Sequence, residues 1–242
     1  MDSFNFLNLP SDVHKDVFTL SRTSDYLSEK VQRVHPKRII NIAVVDSSST
    51  NVSFLLDEKE FVFDYSNESA TDLGRLLSFI QFRTLRIDTE LFEPRNVEFF
   101  KKFENSWISS VKNVEKLRIL SIKDYEEDFL EFLSLMNNLE ELKIYSFIEQ
   151  NELCHQILAK MKNVKNLTMT GPMDDDFLKL LASKTSQEKP LDTCTIRTVF
   201  SFFTSDAQEK FKQDVYCVEN DEIQFYNELY GTTLIVSSPY YH

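Results

Sequence analysis

The side chains of this 242-residue chain that could do chemistry fall into a few short clusters. Two carboxylate triplets, Glu126-Glu127-Asp128 and Asp174-Asp175-Asp176, offer the hard oxygen ligands that Mg²⁺ or Ca²⁺ prefers. Each stands directly before an apolar stretch with helical spacing, where acids satisfy free amides and the positive end of the helix dipole, so capping is the expected role. Cys154 and His155 are the one close Cys/His pair; adjacent residues on a helix point about 100° apart and do not share a metal unaided. The cysteines, Cys154, Cys194 and Cys217, are odd in number and lack C-x-x-C spacing, and His14, His35, His155 and His242 lack H-x-x-x-H spacing. Small buried thiols are expected, not a disulfide frame or a zinc site. The nucleophile-elbow, zincin, deaminase and kinase signatures are absent from the sequence. Three glycines, Gly74, Gly171 and Gly231, cannot build a glycine-rich phosphate loop. The reading is of a chain without catalysis, metal or cofactor.

Other residues point to binding. A short apolar pattern recurs as Arg83-Thr-Leu-Arg-Ile87, Glu115-Lys-Leu-Arg-Ile119, Glu140-Glu-Leu-Lys-Ile144, Lys165-Asn-Leu-Thr-Met169 and Asp192-Thr-Cys-Thr-Ile196. Leu85, Leu117, Leu142, Leu167 and Cys194 are separated by 32, 25, 25 and 27 residues. The last three spacings fall in the ~20–29-residue period of leucine-rich repeats. In a strand reading L-x-I the outer two residues face the core and the middle one faces away, which in such an array is the concave surface. The middle residues are Arg86, Arg118, Lys143, Thr168 and Thr195, and Lys116 stands beside Arg118. Arg86, Lys116, Arg118 and Lys143 are therefore the candidate target-binding stripe, suited to an acidic surface on a protein target. Asp88, Glu115 and Glu141 are the nearby carboxylates that could neutralise it.

Charge supports a protein partner over other classes. With 27 Lys and Arg against 39 Asp and Glu, the net charge of −12 repels nucleic acid and anionic lipid. No run of 18 apolar residues occurs, and the opening MDSFNFLNLPSD carries acids where a signal peptide is basic. Neither nucleic acid nor membrane is expected as a partner, and the expected compartment is the cytosol or nucleus.

The elements that must hold the stripe are legible as an α/β pattern. Between the strands, Asp128 to Met136 and Asp176 to Leu181 have apolar residues at i, i+3 and i+4. One strand and one helix cannot close a core alone, which is the physical reason to repeat them. Upstream, Arg38 to Val45, Val52 to Leu56 and Phe61 to Tyr65 read as a three-stranded meander, followed by helices over 69–80 and 93–111. The second presents Val97, Phe100, Phe103 and Trp107, with Trp107 expected in the core. Glu222 to Tyr226 and Thr232 to Ser237, around Gly231, read as a hairpin that caps the open end. At the start, Leu9, Val13 and Val17 share one helical face with Pro10 early in the helix, and a second short helix is expected near 23–34.

The string Leu9-Pro10-Ser-Asp-Val13-His-Lys-Asp-Val17-Phe18 resembles the opening helix of an F-box. The order of segments, an F-box-like opening, a meander and then strand–helix units with Asp-Phe-Leu motifs, resembles the nematode F-box proteins with FTH-type C-terminal regions. This resemblance implies an F-box-like segment over 1–36 and an FTH-type, leucine-rich-repeat-like domain over 37–242. It also implies a substrate-recognition receptor of a Skp/cullin ubiquitin ligase, with Leu9, Pro10, Val13, Val17 and Phe18 against a Skp-type adaptor and the repeats holding a protein target. The interval from Leu9 to Arg38 is shorter than a full F-box, so the segment is a shortened or degenerate one. The alternative is a stand-alone repeat-type scaffold or antagonist whose F-box has no function.

Overall fold

The computed structural model of the chain describes residues 37–88, 91–198, 203–216, 223–227 and 232–236. The expected helices before residue 36, with Leu9, Pro10, Val13, Val17 and Phe18, lie outside the described residues, as does Cys217. Apart from Arg38 at the start of the first strand, the described elements belong to one compact unit, Ile39–His242.

Three strands open it: β1 (Arg38–Ser47), β2 (Asn51–Leu56) and β3 (Lys59–Asp64), each antiparallel to the next. Then come α1 (Asn67–Ser78), β4 (Ile80–Ile87), α2 (Pro94–Lys101), α3 (Glu104–Val111), β5 (Lys116–Ile119) and α4 (Glu126–Ser134). The chain continues through β6 (Glu141–Phe147), α5 (Asn151–Lys160), β7 (Asn166–Thr170), α6 (Asp175–Ser183), β8 (Thr193–Thr198) and α7 (Ser205–Asp214). Strands β9 (Ile223–Asn227) and β10 (Thr232–Val236) close the order and pair antiparallel, as the expected hairpin requires. All strands join one ten-stranded sheet in the order β10-β9-β8-β7-β6-β5-β4-β1-β2-β3. The stretch from β4 to β9 is parallel, so the molecule is α/β with a mixed sheet. Among the described residues no helix is long and apolar enough to cross a membrane.

The recurring pattern is reproduced strand by strand. Leu85, Leu117, Leu142, Leu167 and Cys194 are register partners across β4 to β8, and all are buried. Ile87, Ile119 and Ile144 form a second buried rung beside them, as Met169 and Ile196 do. Helices cover this face. Their acid-rich starts behave as helix N-termini should, though unequally: Asp174 caps α6 by accepting the Phe177 amide at 3.0 Å, whereas Glu126, Glu127 and Asp128 lie inside the first turn of α4 and act there by charge alone.

One expected element is corrected. The single helix over 93–111 is two, α2 and α3, broken at Lys102–Phe103, where Phe103 takes φ −136° and ψ 32°. The break serves packing. Phe103 fits so closely over Gly74 of α1 that a Cβ there would lie 2.8 Å from Phe103 Cβ, and its ring meets Phe99 and Phe100 at 5.4 and 5.3 Å. Trp107, buried as expected, then stacks flat on Phe132 of α4 at 5.9 Å and meets Phe54 of β2 and Phe82 of β4 edge-on. Val97, expected on this face, is only half-buried, and Phe99 takes the core position.

Candidate functional site

The face of the sheet opposite the helices is covered by no described element. Parallel sheets are ordinarily covered on both faces; here the side chains on the second face, Glu141 apart, are half-buried or exposed among the described residues. The register assembles the stripe read from the sequence: Arg86 lies beside Arg118, Arg118 beside Lys143, Lys143 beside Thr168 and Thr168 beside Thr195. Lys116 lies two residues before Arg118, on the same face, and directly beside Glu141. Farther along β6, Tyr145 and Phe147 are exposed.

Glu141 is the centre of this arrangement. Its side chain is only 6% exposed, beneath Lys116 Nζ at 3.1 Å, Arg118 Nη2 at 3.3 Å and Lys143 Nζ at 3.4 Å. Burial pushes its carboxyl upward, but the hydrogen bond and charge of Lys116, with Lys143 and Arg118, outweigh burial and hold it below the usual carboxylate range. Three cations over one carboxylate leave an excess of positive charge at the surface, where Lys116 and Arg118 keep 46% and 42% of their side chains exposed. Arg118 Nε is buried and has no hydrogen-bond partner among the described residues. Arg86 is paired along its own strand with Asp88, whose hydrogen bond and charge raise its pKa. Of the three carboxylates expected to neutralise the stripe, Asp88 and Glu141 therefore do so, while Glu115 serves Arg83 instead, at 3.7 Å.

A second polar cluster joins α5 to α6. Asp174 accepts from Asn151 Nδ2 at 2.7 Å and pairs with His155 Nε2 at 2.8 Å. Burial raises Asp174, and the bonds from Asn151, the Phe177 amide and His155 more than reverse this. Cys154 turns the other way, into the core, where burial pushes its thiol up to about 12. The adjacent Cys154–His155 pair thus diverges. No sequence spacing announces the His155–Asp174 contact, because it spans a helix, a strand and two loops. Among the described residues no three His, Cys, Asp or Glu side chains converge as metal ligands. The cluster is a staple between helices, with a buried thiol at its back.

What the open face can do chemically is attract carboxylates at a shallow, solvent-filled row of cations. Compared with protein-family models, with curated proteins and with solved structures, the chain matches none.

Proposed function

We infer that this chain is a non-catalytic protein-binding subunit that holds an acidic surface of a protein target on the open face of its sheet. The observation that carries the reading is the row Arg86–Arg118–Lys143, in register on three neighbouring strands, of which Arg118 and Lys143 share one buried carboxylate with Lys116. Like charges aligned on adjacent strands destabilise a sheet mildly. Keeping them exposed on a face that no described helix covers is the arrangement of a surface completed by an anionic partner. The strand–helix units at 25- to 27-residue spacing support a leucine-rich-repeat-like array, in which such rows are binding surfaces.

In the fuller reading the subunit is the substrate receptor of a Skp/cullin/F-box ubiquitin ligase, acting in the cytosol or nucleus. Leu9, Pro10, Val13, Val17 and Phe18 contact a Skp-type adaptor, and Arg86, Lys116, Arg118 and Lys143 contact the target. The support is the resemblance of the opening segment to an F-box. The short interval between Leu9 and Arg38 favours a second reading, a stand-alone interaction scaffold or antagonist. Co-purification of the full chain with a Skp-type adaptor separates the two. A stoichiometric complex lost in a Pro10→Ala/Val13→Glu double variant supports the ligase receptor, and no complex from either folded protein leaves the scaffold. Target docking is tested separately: an Arg118→Glu/Lys143→Glu variant is expected to lose salt-sensitive binding of a Glu/Asp-rich peptide, and unchanged binding overturns the docking surface.

A further inference from the structure

The cationic row is one part of what the uncovered face offers. On β1, β2 and β3, Ile39, Ile42, Leu55 and Val62 are 51%, 54%, 39% and 57% exposed. They stand on the same face as the cations. Phe54 of β2 packs toward the helices against Trp107, with its chain neighbours Leu55 and Ser53 turned the other way. The Asp88 amide donates to Val45 O at 3.0 Å, setting β4 alongside β1 with Val45 and Ile87 both fully buried.

This apolar field is held in place by specific bonds. Asp57, at φ 53°, accepts the amides of Asn41 and Ile42 on one carboxylate oxygen at 3.0 and 3.1 Å, and its own amide donates to Ile42 O at 2.8 Å. The clamp interrupts the in–out alternation of β1 at Asn41–Ile42, both exposed, as an extra residue in a strand does. Ile39 and Ile42, an odd number of positions apart, are both left in solvent. Single exposed aliphatics need no explanation, whereas four on adjoining strands form a patch, with exposed Glu60 directly beside Leu55 and exposed Asp46 two strands from Val62 at its edge. From Leu55 on β2 to Arg118 on β5 the sheet takes three strand steps, about 14 Å at ~4.8 Å per step. Four or five residues of extended chain cover about that span.

We propose that the aliphatic and cationic fields form one composite site, which takes an extended segment of a protein partner with aliphatic residues at one end and carboxylates about four or five residues away. The proposal rests on the protein-binding reading above and narrows its partner class. The cations lie to one side of the aliphatic field instead of around it, which fits a ligand with two chemically different ends. An anionic bilayer also joins apolar and negative chemistry, but an extended bilayer brings its charge against the whole chain of net charge −12, whereas a peptide segment meets only this face.

The test is fluorescence anisotropy on the full chain at physiological salt. The probes are a labelled peptide of about twelve residues, alternating Leu/Val with Ser and then running into Asp/Glu, its two halves alone, and a scrambled version, beside phosphatidylserine vesicles. The composite peptide is expected to bind about tenfold or more tighter than either half or the scramble, the gain from joining two weak contacts on one chain. An Ile42→Thr/Val62→Thr variant, which keeps good strand formers, is expected to bind it only as tightly as the acidic half. Leu55→Thr serves as an independent second variant, and circular dichroism verifies folding. An acidic half that binds as tightly as the composite, unmoved by these variants, overturns the composite site and leaves the cationic row standing. Binding unmoved by Arg118→Glu/Lys143→Glu overturns both readings, as does the absence of any peptide binding, and vesicle binding without peptide binding replaces the partner class.

Discussion

Glu141 holds together a surface that would otherwise repel itself. Replacing it with Gln leaves Lys116, Arg118 and Lys143 facing one another without their shared anion. We expect Glu141→Gln to lower stability by about 1–2 kcal/mol in urea unfolding, less than a fully buried pair loses because its partners are partly hydrated. The same variant should bind an acidic peptide more tightly, since its cations are released. The sign of the pH response is set by the direction of the shifts. Glu141 and Asp174 both lie below the ordinary carboxylate value near ~4, so the native state favours their ionised forms. Their contribution is complete above that value and is lost as pH falls through their lowered native values. The urea midpoint should therefore drop as pH falls below about 4, and less steeply in a Glu141→Gln/Asp174→Asn variant. Cys154, held protonated by burial with its pKa at about 12, should resist iodoacetamide at pH 8 in the native protein and react after unfolding, as read by peptide mass spectrometry.

At the scale of elements, α1 meets the break between α2 and α3 in a close junction. Ala is a better helix former than Gly by about 1 kcal/mol, yet a Cβ at position 74 would sit 2.8 Å from Phe103 Cβ, an atom fixed to its backbone. Gly74→Ala should therefore destabilise on balance, by about 1–3 kcal/mol of overpacking, and a rise in the thermal midpoint would contradict the packing described. Much of the sheet is legible in the sequence because L-x-I in a strand says which residues face inward, and equal spacing says which strands are neighbours. The break at Lys102–Phe103 is not legible. Val97, Phe100, Phe103 and Trp107 fit one straight helix, and only the closeness of Gly74, far away in the chain, makes two helices better. The clamp of Asp57 on Asn41 and Ile42 is hidden for the same reason, being a contact over 16 and 15 residues.

For the whole molecule, the in-register row is foreseeable from spacing alone, including Asp88 and Glu141 as its neutralising acids. The burial of Glu141 is not, because it depends on three long side chains folding over one short one. A protein of net charge −12 with a positive row on one face is strongly polarised. Association of an acidic peptide should therefore slow several-fold between about 50 and 150 mM salt, as screening shortens from ~14 Å toward ~8 Å, with the dissociation rate less affected; an on-rate indifferent to salt in stopped flow would contradict steering by this face.

The 25-residue offset that β5–β6 and the first three pairs of β6–β7 share, before the register shifts past Lys143, has a consequence for how such a surface changes over time. Duplicating one interval, from Glu141 to Lys165, would insert a strand and its helix without disturbing the alignment on either side, and would set another cation into the row. The length of the cationic row is thus quantised: it can lengthen or shorten only by whole units, about 4.8 Å each, while its chemistry is retuned one middle residue at a time. The charge of the open face and the stability of the fold are thereby open to separate adjustment within the same strands.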